Sequence, residues 1–526
     1  MRPTNWCPPI ELSSAEEKVV KRIKRAKLFT FLRHNRHQLF DDTFQAELAR
    51  LFKDSSVGQA PVYPAQLALA TILQAYTDVS DDEVIEVLLM DRRWQLVLDC
   101  LDCEETPFGK GTFVRFRAML IAKDFDRRLI ERTVEMAQQK GGFSAKHLRA
   151  ALDSSPLWGA ARVEDTYNLL GHALRKALGI IAHDQERDLK EVATEAGAPW
   201  VADSTLKAAL DLDWDDPAAK TQVLSTILQA LNQVEGLLQQ PETTPKAVQA
   251  ATENMAVARQ IQQQDVEVEP DGSPKLRKGT AKDRRIAIED AQMRHGRKSR
   301  KQRFDGYKRH VFRDLDVGLV RAVGLTPANQ PEASVTDDII ADLKDQSVTL
   351  RELHIDRAYL ASNLVKTRSE DLNIVCKAWP VRNGDRFTKQ AFTLDWPVQQ
   401  IHCPNGVSLP FEPGKVVHFP AETCANCPLQ QQCTTSPRGR SVSIHPDEQL
   451  FAELRQRQAT PAGRAQLRQR VQVEHSLAQV SQWQRDKARY RTQRKNLFDL
   501  RRIRHSALQI MLQRYYTCQK VAQVRF

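Results

Sequence analysis

Apolar residues fall at helical spacing in the first quarter of the chain and again through its middle. Between and after those blocks they form short strand-like runs. From Phe29 to about Lys140 the period is helical. Leu67, Leu69, Ile72 and Leu73 follow Pro64, a residue suited to a helix first turn. Ser80-Asp-Asp-Glu83 reads as a capping box for a helix through Val84, Val87 and Leu88. Thr112 is expected to cap a third helix, with Phe113, Phe116 and Leu120 on one face and Arg115, Arg117 and Lys123 beside it. Short helices with a basic last member fit a helix-turn-helix-like DNA-binding unit or, equally, an ordinary bundle with solvated arginines.

A different pattern begins at Leu148, Ala150 and Leu152, a short apolar strand expected to stop at Asp153 because Ser154 to Pro156 turn the backbone. Asp165 is expected to cap the helical run that follows. Val223, Leu224, Ile227, Leu228, Leu231, Val234 and Leu238 continue the helical period, Pro241 and Pro245 break it, and another helix covers about 246–264. Strands return at Gly306–Arg313 and Leu319–Leu325, separated by a turn, so the pair reads as a hairpin. A helix over about Thr336–Asp345 leads to a further strand from Leu350 that ends in Asp356.

The order strand, hairpin, helix, strand predicts a mixed sheet in which the two Asp-terminated strands lie adjacent and parallel. A right-handed crossover then brings their C-terminal ends to one edge. Asp153 and Asp356 would share a cleft. The fold class is therefore α/β, a mixed sheet with flanking helices. To it are added an all-α N-terminal domain (29–140), a large helical insertion (172–290) and a Cys-rich loop and strand insertion (375–446). Residues 1–28 read as a basic arm, 146–516 as the sheet-bearing domain and 517–526 as a tail, with a last helix over about 496–516.

Charge narrows the function. The 526-residue chain carries a formal net charge of +11 and a pI near 9.2, which favours polyanionic partners. No apolar run approaches the ~20 residues of a membrane helix. The N-terminus lacks a signal-peptide pattern, so an intracellular, cytoplasmic location is expected. Near the end, Arg485, Lys487, Arg489, Arg491, Arg494 and Lys495 surround Trp483, Tyr490 and Phe498. Basic residues interleaved with aromatics suit phosphate contacts and base stacking. Glu474, beside the stripe Val473, Leu477 and Val480, stands in front of that stretch.

These segments resemble the DDE-type transposases of bacterial insertion sequences, over nearly the whole chain. Phe31-Leu-Arg-His-Asn-Arg36 through Leu129 resembles the family's helical DNA-binding domain. Leu152-Asp-Ser-Ser-Pro156, Gly306-Tyr-Lys-Arg-His310, Thr326-Pro-Ala-Asn329 and His354-Ile-Asp-Arg-Ala-Tyr359 resemble successive segments of its RNase H-like catalytic domain. The resemblance implies a catalytic triad of Asp153, Asp356 and Glu474 holding two Mg2+ or Mn2+ ions, with Asp153 bridging both. It implies cleavage at the transposon ends followed by strand transfer to target DNA, by a homo-oligomer on double-stranded DNA associated with the bacterial nucleoid. Arg115, Arg117, Lys308, Arg309, Arg470 and the basic stretch 485–495 become DNA contacts. The family's Tyr-Arg-Glu-Lys signature is incomplete: Arg470 and Glu474 are in register, but Leu467 and Ser481 replace Tyr and Lys. Lys487 or Arg485 is expected to contact phosphate in place of that Lys. The alternatives are an RNase H-like nuclease without strand transfer and a DNA-binding protein with a dead site.

Nine cysteines in a long chain argue against a disulfide framework. Cys403, Cys424, Cys427 and Cys433, spaced C-x20-C-x2-C-x5-C, suit a structural zinc site or an iron–sulfur cluster as well as they suit reduced thiols packed in loops.

Overall fold

The Pro64–Thr77 helix organises the N-terminal third. Pro64 occupies its first turn and every residue through Ala75 is buried. A helix apolar on all sides has to be enclosed. Lys27–Leu39, Asp42–Ala49, Asp81–Met90, Arg92–Leu98, Lys110–Ala122 and Phe125–Gln139 supply the shell, through residues such as Phe29, Phe44, Leu88, Trp94 and Phe116. The structure, a computed structural model, describes residues 2–504 apart from 55–58, 140–146, 204–208, 211–212, 240–242 and 347. The Ser80 capping box forms as expected. Thr112 is not a cap: the carbonyl of Gly109 already accepts from the N–H groups of Thr112 and Phe113, which places Thr112 inside the first turn.

Residues 1–28 are not a free arm. Ser13 and Glu16 form a capping box that opens the Ser14–Arg22 helix. Val19 and Ile23, four apart, turn inward with Trp6 and join the same core while the lysines face solvent. Glu16 also holds the buried Arg33 through contacts of 2.6 and 3.0 Å.

The second layer is a six-stranded sheet: β1 (His147–Trp158), β2 (Arg294–Arg297), β3 (Arg303–Asp314), β4 (Val320–Pro327), β5 (Thr349–His354) and β6 (Asn373–Val375). Its order is β2-β3-β1-β5-β6, with β4 also paired to β3. β3 and β4 make the expected hairpin, and β1 runs antiparallel to β3 and parallel to β5. The Thr336–Lys344 helix packs Ile339 and Leu343 against Leu148, Phe312 and Leu353.

Two segments, one between β1 and β2 and one after β6, have cores of their own. Thr166–Asp184, capped by Asp165 as expected, packs Leu170, Leu174 and Leu178 against Leu224 and Leu231 of Pro217–Leu237 and Met255 and Ile261 of Pro245–Asp265. Residues 392–444 hold short strands around Phe392, Ile401, Phe411 and Phe419. The final helix is described over 493–504, so the predicted Ala507, Ile510 and Met511 face and the tail 517–526 lie outside the described residues.

Candidate active site

Register brings the two aspartates together. Ala151 of β1 lies opposite His354 of β5 in a parallel pair, so Asp153 and Asp356, each two residues further on, stand at the same end of the sheet. Their local settings differ from the expectation. β1 does not stop at Asp153: Asp153 pairs with Val311, and the ladder to β3 continues through Trp158 opposite Gly306. Pro156 is tolerated because β5 has already ended there and the 486–488 segment joins that edge of β1 only at Trp158. β5 in turn ends at His354, and Asp356 caps the turn Arg357–Tyr359, its carboxylate accepting from the Arg357 N–H at 2.6 Å.

The Val471–Gln484 helix brings the third carboxylate. Its buried Val473, Leu477 and Val480 pack on Ala151 of β1 and Val311 and Val323 of the hairpin. Glu474 then lies one turn after Arg470 at the helix start. The Arg470 guanidinium donates to Asp153 through Nη1 and to Glu474 Oε1 through Nη2, the latter at 3.1 Å. Asp153 is nearly buried (side chain 13% exposed) and Glu474 half-exposed. Asp356, Arg470 and Glu474 line a cleft of about 640 Å³, with Arg357, Lys377, Arg464 and Arg468 on its walls. The buried Nε of Arg357 has no hydrogen-bond partner among the described residues.

Burial pushes the Asp153 carboxyl above the usual range. Arg470 and the Ser154 N–H pull it back, and Asp356 and Glu332 raise it further. A carboxylate desolvated next to two others favours a cation beside it. Arg470 is that cation here. Carboxylates are the hard donors that divalent ions prefer, and Asp356 and Glu474 line the cleft with Asp153 behind Arg470, yet among the described residues no three His, Cys, Asp or Glu side chains are gathered so as to hold a metal ion.

Behind the aspartates is a polar cluster to which the sequence motifs assign no role. His310 of β3 is fully buried between the Tyr359 hydroxyl (2.8 Å) and Thr326 Oγ1 (3.0 Å). Burial, with Lys308 nearby, drives its pKa down to about 3, so the ring is neutral. Burial also raises the Tyr359 phenol well above its ordinary value. The pair ties the turn after Asp356 to β3. Ser154 Oγ donates to Glu332 at 2.9 Å on the other side of Asp153. Tyr359 and His310 both stand in the motifs around Asp356 and Tyr307, and their spacing from those two residues was the available signal.

The expected DNA contacts separate into two groups. Arg115, Lys487 and Lys495 are exposed. Arg117 and Arg309 are buried, which corrects their assignment. Arg117 binds Asp81 at 2.5 and 2.6 Å, and Arg309 donates to Ser155 (2.8 Å), Ser481 (2.7 Å) and the Arg485 carbonyl (3.0 Å). Ser481, standing where the signature has Lys, thus supports a buried arginine. Lys308 donates to the Gln330 carbonyl at 2.9 Å. Arg485 and Arg489 pair with Asp78, Arg491 with Glu289 and Arg494 with Asp126.

Cys403, Cys424, Cys427 and Cys433 line one small cavity with Phe392 and Phe419. They are free thiols, and among the described residues no group of metal-ligating side chains, for zinc or for an iron–sulfur cluster, is assembled there.

Residues 266–378 match a family model described as a Transposase DDE domain, residues 402–501 match a second model of the same description, and residues 21–119 match a Transposase domain (DUF772). The first match spans Asp356 and the second spans Glu474. The mixed sheet with flanking helices and an all-helical N-terminal region is consistent with an RNase H-like fold. No curated protein and no solved structure matches the chain. No helix among the described residues is long and apolar enough to cross a membrane.

Proposed function

The chain carries the domains of a DDE transposase of the insertion-sequence kind, and from that premise we propose that it binds the ends of its element and catalyses divalent-metal-dependent strand cleavage and strand transfer. One observation supports this reading: two parallel strands in register bring Asp153 and Asp356 to one end of the sheet, where Arg470 bonds both Asp153 and Glu474 beside a basic-walled cleft lined by Asp356 and Glu474.

Asp153, Asp356 and Glu474 are the residues that would hold the ions. When bound, such ions activate the attacking oxygen and stabilise the leaving one. Arg470, bonded to both Asp153 and Glu474, screens their charges from each other and would be free for a DNA phosphate where an ion took its place. Arg357, Lys377, Arg464 and Arg468 hold the phosphates on either side of the scissile bond. Neutral His310 and the protonated Tyr359 fix the turn that carries Asp356, so the second carboxylate does not wander. Glu474, half-exposed, is a carboxylate with room to adjust to an ion.

The test is cleavage and joining of duplexes taken from the DNA on either side of the gene, where this reading expects inverted repeats, with Mg2+. Wild type is expected to nick at the repeat and to join that end to a second duplex. Asp153→Asn and Glu474→Gln are expected to lose cleavage by a factor of about 10³, several kcal/mol of transition-state stabilisation, while binding the same duplex unchanged. Normal cleavage by Asp153→Asn overturns the reading. Nicking without joined products reduces it to a nuclease.

A further inference from the structure

Residues 297–303, Arg-Lys-Ser-Arg-Lys-Gln-Arg, form the tip of the β2–β3 hairpin, and all seven are exposed. Five of them are cationic. Among the described residues none of the five forms an ion pair, whereas most arginines of the 485–504 segment pair with carboxylates. Uncompensated like charge within one turn is unfavourable until a polyanion or salt screens it.

The hairpin is held firmly below that tip. Phe304 is buried and meets the Trp158 ring edge-on, centroids 6.2 Å apart. His295 Nδ1 lies 2.6 Å from Asp305 Oδ1 across the two strands. A Cβ at Gly296 would come within 2.5 Å of the Ala328 Cβ, so this glycine lets β2 press against the end of β4. The Lys298 N–H closes the turn on the Gln302 carbonyl at 2.9 Å.

Its direction ties it to the active site. β1 passes Asp153, opposite Val311, and runs on to Trp158, opposite Gly306. The basic tip therefore projects from the end of the sheet that bears the carboxylates. Arg303 is eight residues from Val311, about 26 Å at ~3.3 Å per residue, or about eight base pairs of duplex.

We propose that the β2–β3 hairpin tip is a DNA-backbone contact, a rigid basic finger that grips duplex about eight base pairs from the phosphate held at Asp153. A two-stranded ribbon fits the ~12 Å major groove. The tip has only Ser299 and Gln302 besides its cations, so it has no apolar or aromatic side chain to enter a membrane or stack on an unpaired base. Its grip is electrostatic and indifferent to sequence. The inference rests on the transposase reading above and adds a surface to it.

The experiment uses the full chain and the repeat-end duplex. A variant with Arg297, Lys298, Arg300 and Lys301 all changed to Ser is compared with wild type by affinity across salt and by hydroxyl-radical footprinting. The slope of log affinity against log salt is expected to fall by about 3–4, near 0.9 for each phosphate that the variant no longer neutralises. Protection is expected to vanish in one patch about eight base pairs from the cut and to persist at the cut. An unchanged thermal melt shows that the variant is folded. Unchanged slope and footprint, with a wild type that binds and cuts, overturn the finger and leave the transposase reading standing. A wild type that neither binds nor cuts overturns both.

Discussion

Two basic stretches of this chain do opposite work. The 485–504 segment, rich in arginine and interleaved with aromatics, is mostly spent on the protein itself. Arg485 and Arg489 reach Asp78, Arg494 and Arg501 reach Asp124 and Asp126, and Arg502 reaches Gln74, all on the N-terminal helical domain. Phe498 joins that domain's core. The 297–303 tip has the same chemistry and, among the described residues, no such partners. Charge in a sequence thus marks where cations are, and carboxylates far away in the chain decide whether they remain available to DNA.

The largest effect that separates the two is on stability. Asp126 is buried and accepts from both Arg494 and Arg501. Asp126→Ala leaves those guanidinium groups without that carboxylate, and breaking a buried pair costs about 3–5 kcal/mol. A drop of that size in the denaturant-unfolding free energy is expected, and a change below about 1 kcal/mol would mean that 485–504 is not a clamp.

Acid sharpens the contrast with a buried base whose partners are the Tyr359 and Thr326 hydroxyls. His310, with a folded pKa of about 3, lies below its unfolded value of about 6.5. Its contribution is complete above pH 6.5 and is lost as pH falls toward 3, since the unfolded chain takes the proton first. Relative to His310→Asn, wild type is expected to lose about 2–3 kcal/mol between pH 6.5 and 4.5, at ~1.4 kcal/mol per unit. Parallel pH curves for the two proteins would remove His310 from the support of Asp356.

Smaller effects follow where solvent reaches the pair. Asp78→Ala frees Arg485 and Arg489, whose pairing is partly exposed, and is expected to cost at most about 1 kcal/mol while tightening duplex binding in the same preparation. The Ser-substituted hairpin tip is expected to change the unfolding free energy by no more than ~0.5 kcal/mol. A larger loss there would make the tip structural.

What was legible in the sequence was set by local period. The apolar runs before Asp153 and Asp356 predicted adjacent parallel strands, and β1 and β5 pair in the register that places both carboxylates at one end. Ser80 and Asp165 cap their helices because a cap needs only the next three residues. The course of β1 past Pro156 was hidden, because Ser-Ser-Pro is a turn signal unless the neighbouring strand is known to end. The fate of the arginines was hidden more deeply. Arg485 and Asp78 are 407 positions apart and Arg494 and Asp126 are 368 apart, and no spacing rule spans that. The N-terminal helix has a local signature, Ser13 and Glu16 three apart and Val19 and Ile23 four apart, which its many lysines overlay with the pattern of a basic arm.

The proposed transposase needs Asp153, Asp356 and Glu474 to hold the same ions. Replacing Mg2+ by Fe2+ with ascorbate and peroxide cuts a polypeptide beside the residues that bind the iron. Cuts are expected near 153, 356 and 474 together, and all three are expected to fade in Asp153→Asn. Cuts confined to one of the three positions, or clustered at the cysteines of 403–433 instead, would contradict the shared site.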